Sequence, residues 1–70
     1  MIFLTSVDGM VLVNGEEVES IYTVPSWNYS ALGVALKTKR GEIYYMGSDL
    51  DEVRAKELIK LYQDKLEGGE

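Results

Sequence analysis

The sequence predicts an α+β fold in which a small antiparallel meander sheet of four to five strands is covered by one C-terminal α-helix. Short β-branched and aromatic runs fill residues 1–47, Asp-Gly and Asn-Gly pairs separate them, and residues 48–67 have helical periodicity. A chain of 70 residues can hold only one core. We therefore expect a single domain over residues 1–70, with the sheet in 1–47, the helix in 48–67 and a tail in 68–70.

Turn residues delimit the first strands. The run over residues 2–7 ends at Asp8-Gly9, which is typical of a two-residue hairpin, and the return run ends at Asn14-Gly15. In the next strand, Val18 and Ile21 lie three residues apart, so a regular strand cannot place both on one face. A β-bulge or a helical turn is needed there.

The fourth strand has one bare face. After a loop at residues 25–30, the strand over residues 31–38 alternates large apolar residues with Ala31, Gly33 and Ala35. Small side chains in a strand permit the close approach of a helix or of another chain, although a bulge or a simple packing need beneath the helix explains them too.

A last strand over residues 43–46 leads to the helix. Either Ser48 or Asp49 can cap the helix start, with Asp51 or Glu52 three positions on. The apolar positions of the helix spread over about two thirds of its circumference, which is wider than one sheet needs. These positions are Leu50, Val53, Ala55, Leu58, Ile59, Leu61, Tyr62 and Leu66.

The composition excludes several functions. The sequence has no cysteine and no histidine, which removes disulfides, thiolate metal sites and Ser-His-Asp triads. A formal charge of -5 opposes direct nucleic-acid binding. No apolar run reaches the roughly 20 residues of a membrane span, and the first run lacks a cationic start, so we expect a cytoplasmic protein. Helix capping explains the acids near Asp49, so we expect no enzyme, no catalytic residue, no metal and no cofactor.

Two features indicate protein binding. The loop at residues 25–30 carries two large aromatics, which are enriched where binding energy concentrates, although one ring could instead cap the core. The wide apolar face of the helix should be buried against another surface. A second copy in a homodimer or larger assembly would supply that surface, and so would a groove in another protein. The predicted partner-binding residues are Trp27, Tyr29, Leu58, Ile59, Tyr62 and Leu66.

A basic corner suggests the first alternative function. Lys37, Lys39 and Arg40 precede Tyr44 and Tyr45, and cations beside aromatic rings can hold a phosphate. This alternative is a small-molecule or nucleotide-binding protein with an anionic ligand at a subunit interface. Adjacent tyrosines lie on opposite strand faces, so at most one can serve, and a solvated hairpin tip is the plainer interpretation. A second alternative is an acidic nucleic-acid mimic.

The order of residues resembles a known family. The matching positions are Met1-Ile2, Leu4-Thr5, Asp8-Gly9, Val13-Asn14, Glu17 to Ile21, Pro25, Gly41, Tyr44 or Tyr45, and Ser48 followed by Glu52-Val53. This pattern resembles the short bacterial FlbD-like proteins associated with flagella, apart from an extra loop at residues 26–31. The resemblance implies an accessory, interaction-type role without catalytic residues. Small acidic phage products that block host proteins are similar in size and charge. We therefore expect a non-enzymatic, homo-oligomeric protein-binding module with an accessory or inhibitory role.

Overall fold

The computed structural model describes residues 2–26 and 31–68, and these residues form an α+β fold with antiparallel strands and a C-terminal helix, which confirms the predicted fold class. The strands divide into two sheets, one of β1 and β2 and one in the order β3-β4-β5, where a single meander was expected. The described elements are β1 (Phe3–Thr5), β2 (Leu12–Asn14), a 3₁₀ turn (Gly15–Glu17), β3 (Val18–Pro25), β4 (Leu32–Thr38), β5 (Ile43–Leu50) and α1 (Glu52–Gly68).

The hairpin of β1 and β2 is closed by side chains as well as by its turn glycine. The Ser6 N–H donates to the Val11 carbonyl at 2.9 Å, so the connection is wider than the two-residue turn expected at Asp8-Gly9. Ser6 Oγ donates to Asp8 Oδ1 at 2.6 Å, and the Met10 N–H donates to the same oxygen at 3.0 Å. Gly9 has a φ of 76°, which is a backbone conformation that glycine adopts without strain.

The third strand contains the expected irregularity. Val18 pairs with Thr38 and Ser20 pairs with Lys37, so one extra residue of β3 is accommodated between the two pairs. This register shift confirms the prediction made from the spacing of Val18 and Ile21, because it lets both side chains pack against the core.

The boundary between sheet and helix lies later than expected. β5 continues to Leu50, and the helix begins at Glu52, so the predicted division at residues 47 and 48 is corrected. Asp51 caps the helix, since its Oδ1 accepts the Arg54 N–H at 2.7 Å. Asp49 lies outside the helix with a φ of 55°, so neither it nor Ser48 is the cap.

The core is enclosed by three surfaces. The hairpin contributes Leu4 and Val13, the three-stranded sheet contributes residues of β4 and β5, and the helix contributes Ala55 and Tyr62. The hairpin and the helix therefore both pack on the same face of the β3-β4-β5 sheet. This arrangement explains the wide apolar stripe of the helix, because the helix has two elements to pack against instead of one.

Candidate functional site

The helix residues expected to bind a partner are turned mainly toward the core. The Tyr62 side chain is only 1% exposed, and its hydroxyl donates to the Thr5 carbonyl of β1 at 2.6 Å. Burial raises the pKa of Tyr62 above its ordinary value. Leu58, Ile59 and Leu66 are half-buried and pack against the core. The expectation that Tyr62 faces a partner is therefore wrong, and the other three are only partly accessible.

The loop at residues 25–30 carries the other two predicted partner-binding residues. Trp27 and Tyr29 lie outside the described residues, so their predicted role in partner binding stays a prediction. The described residue before them is Ser26, whose hydroxyl donates to Asp49 Oδ1 at 2.9 Å. This bond joins the end of β3 to the end of β5 across the start of β4.

The basic corner does not converge on a ligand. The Arg40 guanidinium lies 3.1 Å from Glu42 Oε1 and 3.7 Å from Glu17 Oε1, so two carboxylates already neutralise it. Tyr44 Oη donates to the same Glu42 oxygen at 3.3 Å, while its ring packs against the core. Tyr45 lies on the opposite face of the sheet.

The remaining members of the predicted anion site are also dispersed. Lys37 and Lys39 are exposed, but Lys37 belongs to the same face of the sheet as Tyr45, and Lys39 lies in the turn after β4. The expectation that Tyr44 and Tyr45 occupy opposite faces is confirmed by their partners, since Tyr44 pairs with Leu36 of the core and Tyr45 pairs with Ala35. The five residues therefore do not form one phosphate cradle.

The face of the β3-β4-β5 sheet that points away from the helix is the broadest candidate surface. Cross-strand partners share a face, so the register defines its members. We call this surface the outer sheet face; it consists of Ser20, Tyr22, Val24, Gly33, Ala35, Lys37, Ile43 and Tyr45. Both the hairpin and the helix pack on the other side, and no described element covers the outer sheet face.

The centre of this face is formed by a small, fully buried residue, since Ala35 is 0% exposed. Ala35 lies between Tyr22 on β3 and Tyr45 on β5. Tyr45 is 65% exposed and Ile43 is 48% exposed, and the register places both on this face of the sheet. The small residues Gly33 and Ala35 predicted from the alternation in β4 thus lie on the outer sheet face, away from the helix, and both are buried.

Gly33 also has a role within the chain. A Cβ atom at Gly33 would lie 3.0 Å from Val24 Cγ2 and 3.2 Å from the Gly47 carbonyl oxygen. Without that atom, a depression of about 280 Å³ remains beside Tyr45 and Ser48. The expected alternative of a bulge is confirmed, since the register of β4 against β5 shifts between Leu32 and Val34, whereas Gly33 lies on the face away from the helix and not beneath it.

A second depression of about 290 Å³ lies between the hairpin tip and the helix. Its apolar walls are formed by Val7 and by leucines of β5 and the helix, and Arg54 and Glu57 stand at its rim. Sequence reasoning missed the contribution of Val7, because only the folded hairpin brings residue 7 to the helix. The two opposite charges at its rim give this depression no clear preference for a charged ligand.

Within residues 2–26 and 31–68, no three acidic side chains are grouped so that they could hold a metal ion. The one helix in those ranges is not long and apolar enough to cross a membrane. Comparison of the chain with protein-family models, curated proteins and solved structures finds no match.

Proposed function

We propose that this chain is a non-enzymatic protein-binding module that associates with a second copy of itself through the outer sheet face. The observation that carries the proposal is the exposure of Tyr45 and Ile43 on a face that no described element covers. Burying a large apolar side chain contributes about 1.5 to 3 kcal/mol, so a domain of this size gains substantially from covering both.

The shape of the face favours a protein over a small ligand. Small-molecule sites are concave and combine apolar walls with a few convergent polar groups. Apart from the depression beside Gly33, which no charged side chain lines, the outer sheet face is a broad surface with a row formed by Tyr22, Ala35 and Tyr45 at its centre. Exposed tyrosines beside small residues are typical of protein interfaces, where a flat partner packs against the rings.

The biological role follows from the resemblance and is part of the proposal. The FlbD-like pattern and the similarity to small acidic phage products both support an accessory or inhibitory role in which a further protein is bound. A flagellar context and a cytoplasmic location stay predictions. The nucleotide-binding alternative is less well supported, because Glu17 and Glu42 already engage Arg40.

Sedimentation equilibrium tests the proposed association. The wild-type chain should dimerise between about 10 and about 500 µM, the range expected for a small interface. Tyr45→Lys should weaken the dimer at least about tenfold, because each copy loses one buried ring. Val53→Lys is the matched control, since Val53 is also 65% exposed but lies on the helix. A wild-type chain that stays monomeric throughout this range, or equal effects of the two variants, would contradict the proposal.

A further inference from the structure

We infer that the two copies pack their outer sheet faces with antiparallel strands, so that Lys37 of each copy meets Asp49 of the other. This arrangement rests on the proposed self-association and specifies how that same face recognises its partner. It follows from where charge is placed at the two ends of β4, and from the symmetry that a pair of identical chains must obey.

One end of the face is basic. Lys37 occupies β4 in the cross-strand row between Ser20 and Ile43, and it is exposed. Neither of its two neighbours in the row is charged. The cations of the adjoining turn do not share this position, because Arg40 is directed to Glu17 and Glu42. Lys37 is therefore the positive charge that this row presents to an approaching sheet.

The other end of the face is acidic. Leu32 at the start of β4 pairs with Leu50 of β5, and Asp49 immediately precedes that pair. The Asp49 carboxylate reaches toward β3, where it accepts a hydrogen bond from Ser26 Oγ at 2.9 Å. Ser26 lines the same depression as Gly33 of the outer sheet face, so this bond places the carboxylate beside that face at the start of β4, at the opposite end of the strand from Lys37.

Symmetry selects between two ways of pairing the faces. A two-fold axis parallel to the strands would set Lys37 against Lys37, and like charges opposed in this way are destabilising. A two-fold axis that lies between the two sheets, perpendicular to the strands and close to Ala35, places the basic end of each copy against the acidic end of the other. Lys37 is two residues from Ala35, about 7 Å along the strand, and Leu32 is three residues away, about 10 Å. These two distances along the strand differ by about 3 Å, and a lysine side chain is long enough to span that difference.

The outer sheet face is small, so the charges at its two ends should determine how the two copies are oriented. Three strands about 4.8 Å apart and seven residues rising about 3.3 Å each give a footprint of roughly 300 Å² per copy. Stable interfaces bury about 800 Å² per partner, so this dimer should be weak. In such an interface, charge complementarity sets the orientation more than the affinity, and association should weaken as salt is added.

A charge-swap experiment tests the arrangement. Lys37→Glu and Asp49→Lys should each weaken self-association at least about fivefold in sedimentation equilibrium, because each puts two like-charge pairs into the dimer. An equimolar mixture of the two variants should regain wild-type association. In that heterodimer the introduced glutamate meets the introduced lysine, and the unchanged Asp49 of one copy meets the unchanged Lys37 of the other. Lys39→Glu, in the turn outside the face, is the control and should leave association unchanged.

Folding is monitored by circular dichroism, because Asp49 has a positive φ and a hydrogen bond to lose. If Asp49→Lys does not fold, Asp49→Asn replaces it, since asparagine tolerates this conformation. Mixed with Lys37→Glu, it should associate more strongly than Lys37→Glu alone. A mixture no stronger than its separate components overturns the antiparallel arrangement. If Tyr45→Lys still dissociates the wild-type dimer in that case, the proposed function survives, whereas a monomeric wild-type chain overturns both.

Discussion

Replacing Tyr62 by phenylalanine tests whether the helix is anchored to the hairpin. The hydroxyl donates to the Thr5 carbonyl at 2.6 Å, across 57 residues of sequence. A hydrogen bond contributes about 0.5 to 1.5 kcal/mol net, and a buried partner left unpaired costs about 1 to 3 kcal/mol. Because the bond is only partly buried, water can reach the carbonyl in part. We therefore expect Tyr62→Phe to lower the free energy of unfolding by about 1 to 2 kcal/mol, and Tm by roughly 5 to 15 °C.

Urea and thermal unfolding, followed by circular dichroism at a concentration where the chain is monomeric, measure this loss. Tyr45→Phe is the matched control, since it removes the same hydroxyl from a side chain that is 65% exposed. The control should change stability by less than about 0.5 kcal/mol. If Tyr62→Phe is as stable as Tyr45→Phe, the hydroxyl does not join helix and hairpin in solution, and the corrected position of Tyr62 loses its support.

The buried Tyr62 should also lower the stability of the fold at alkaline pH. Burial raises the pKa of Tyr62 in the folded state, so the fold favours the neutral hydroxyl. The contribution of Tyr62 to the free energy of unfolding is complete below the pKa of about 10 that tyrosine has in the unfolded chain. It is lost as pH rises through the higher pKa of the folded state. Unfolding free energies measured from neutral pH upward should therefore fall more steeply in the wild-type chain than in Tyr62→Phe. Parallel curves would contradict this explanation.

Three further substitutions follow from the local geometry. Asp51→Ala removes the helix cap and should lower the free energy of unfolding in urea by about 1 kcal/mol, while Asp51→Ser restores most of it. Gly33→Ala brings a Cβ atom to 3.0 Å from a valine methyl and should cost about 1 to 3 kcal/mol, whereas Gly68→Ala, with nothing within 4 Å, should not destabilise the chain. Hydrogen bonds from the Ser6 hydroxyl and a backbone N–H lower the pKa of Asp8, so its contribution to stability exists above its unfolded pKa and is lost as pH falls through the folded one. Ser6→Ala should raise that pKa in a carboxyl NMR titration.

Local chemistry made much of the fold predictable. The spacing of Val18 and Ile21 required a β-bulge or a helical turn, and the register contains the bulge. The position of the turn at Asp8-Gly9 follows from the sequence, but its width does not, because the Ser6 and Asp8 side chains close a larger loop than the glycine alone suggests.

The helix start could not be fixed for a similar reason. The sequence predicts Ser48 or Asp49 as the cap, but the position of the helix start depends on how far β5 remains paired with β4. Pairing extends to Leu50, which leaves Asp51 as the first residue free to turn into the helix. The pairing of β5 with β4 thus overrode the capping signals of Ser48 and Asp49.

The outer sheet face carries apolar residues that the single core of this fold does not bury. The width of the helix stripe follows from the sequence, but the inference that a second chain must cover it assumed that all strands lie in one sheet. Because β1 and β2 separate from the other strands, the hairpin is free to cover the helix and to bury Tyr62. The same hairpin cannot also cover the far side of the β3-β4-β5 sheet. Ile43 and Tyr45 of β5 therefore stay exposed among the described residues, as do other large apolar side chains such as Leu12 of the hairpin and Val53 of the helix.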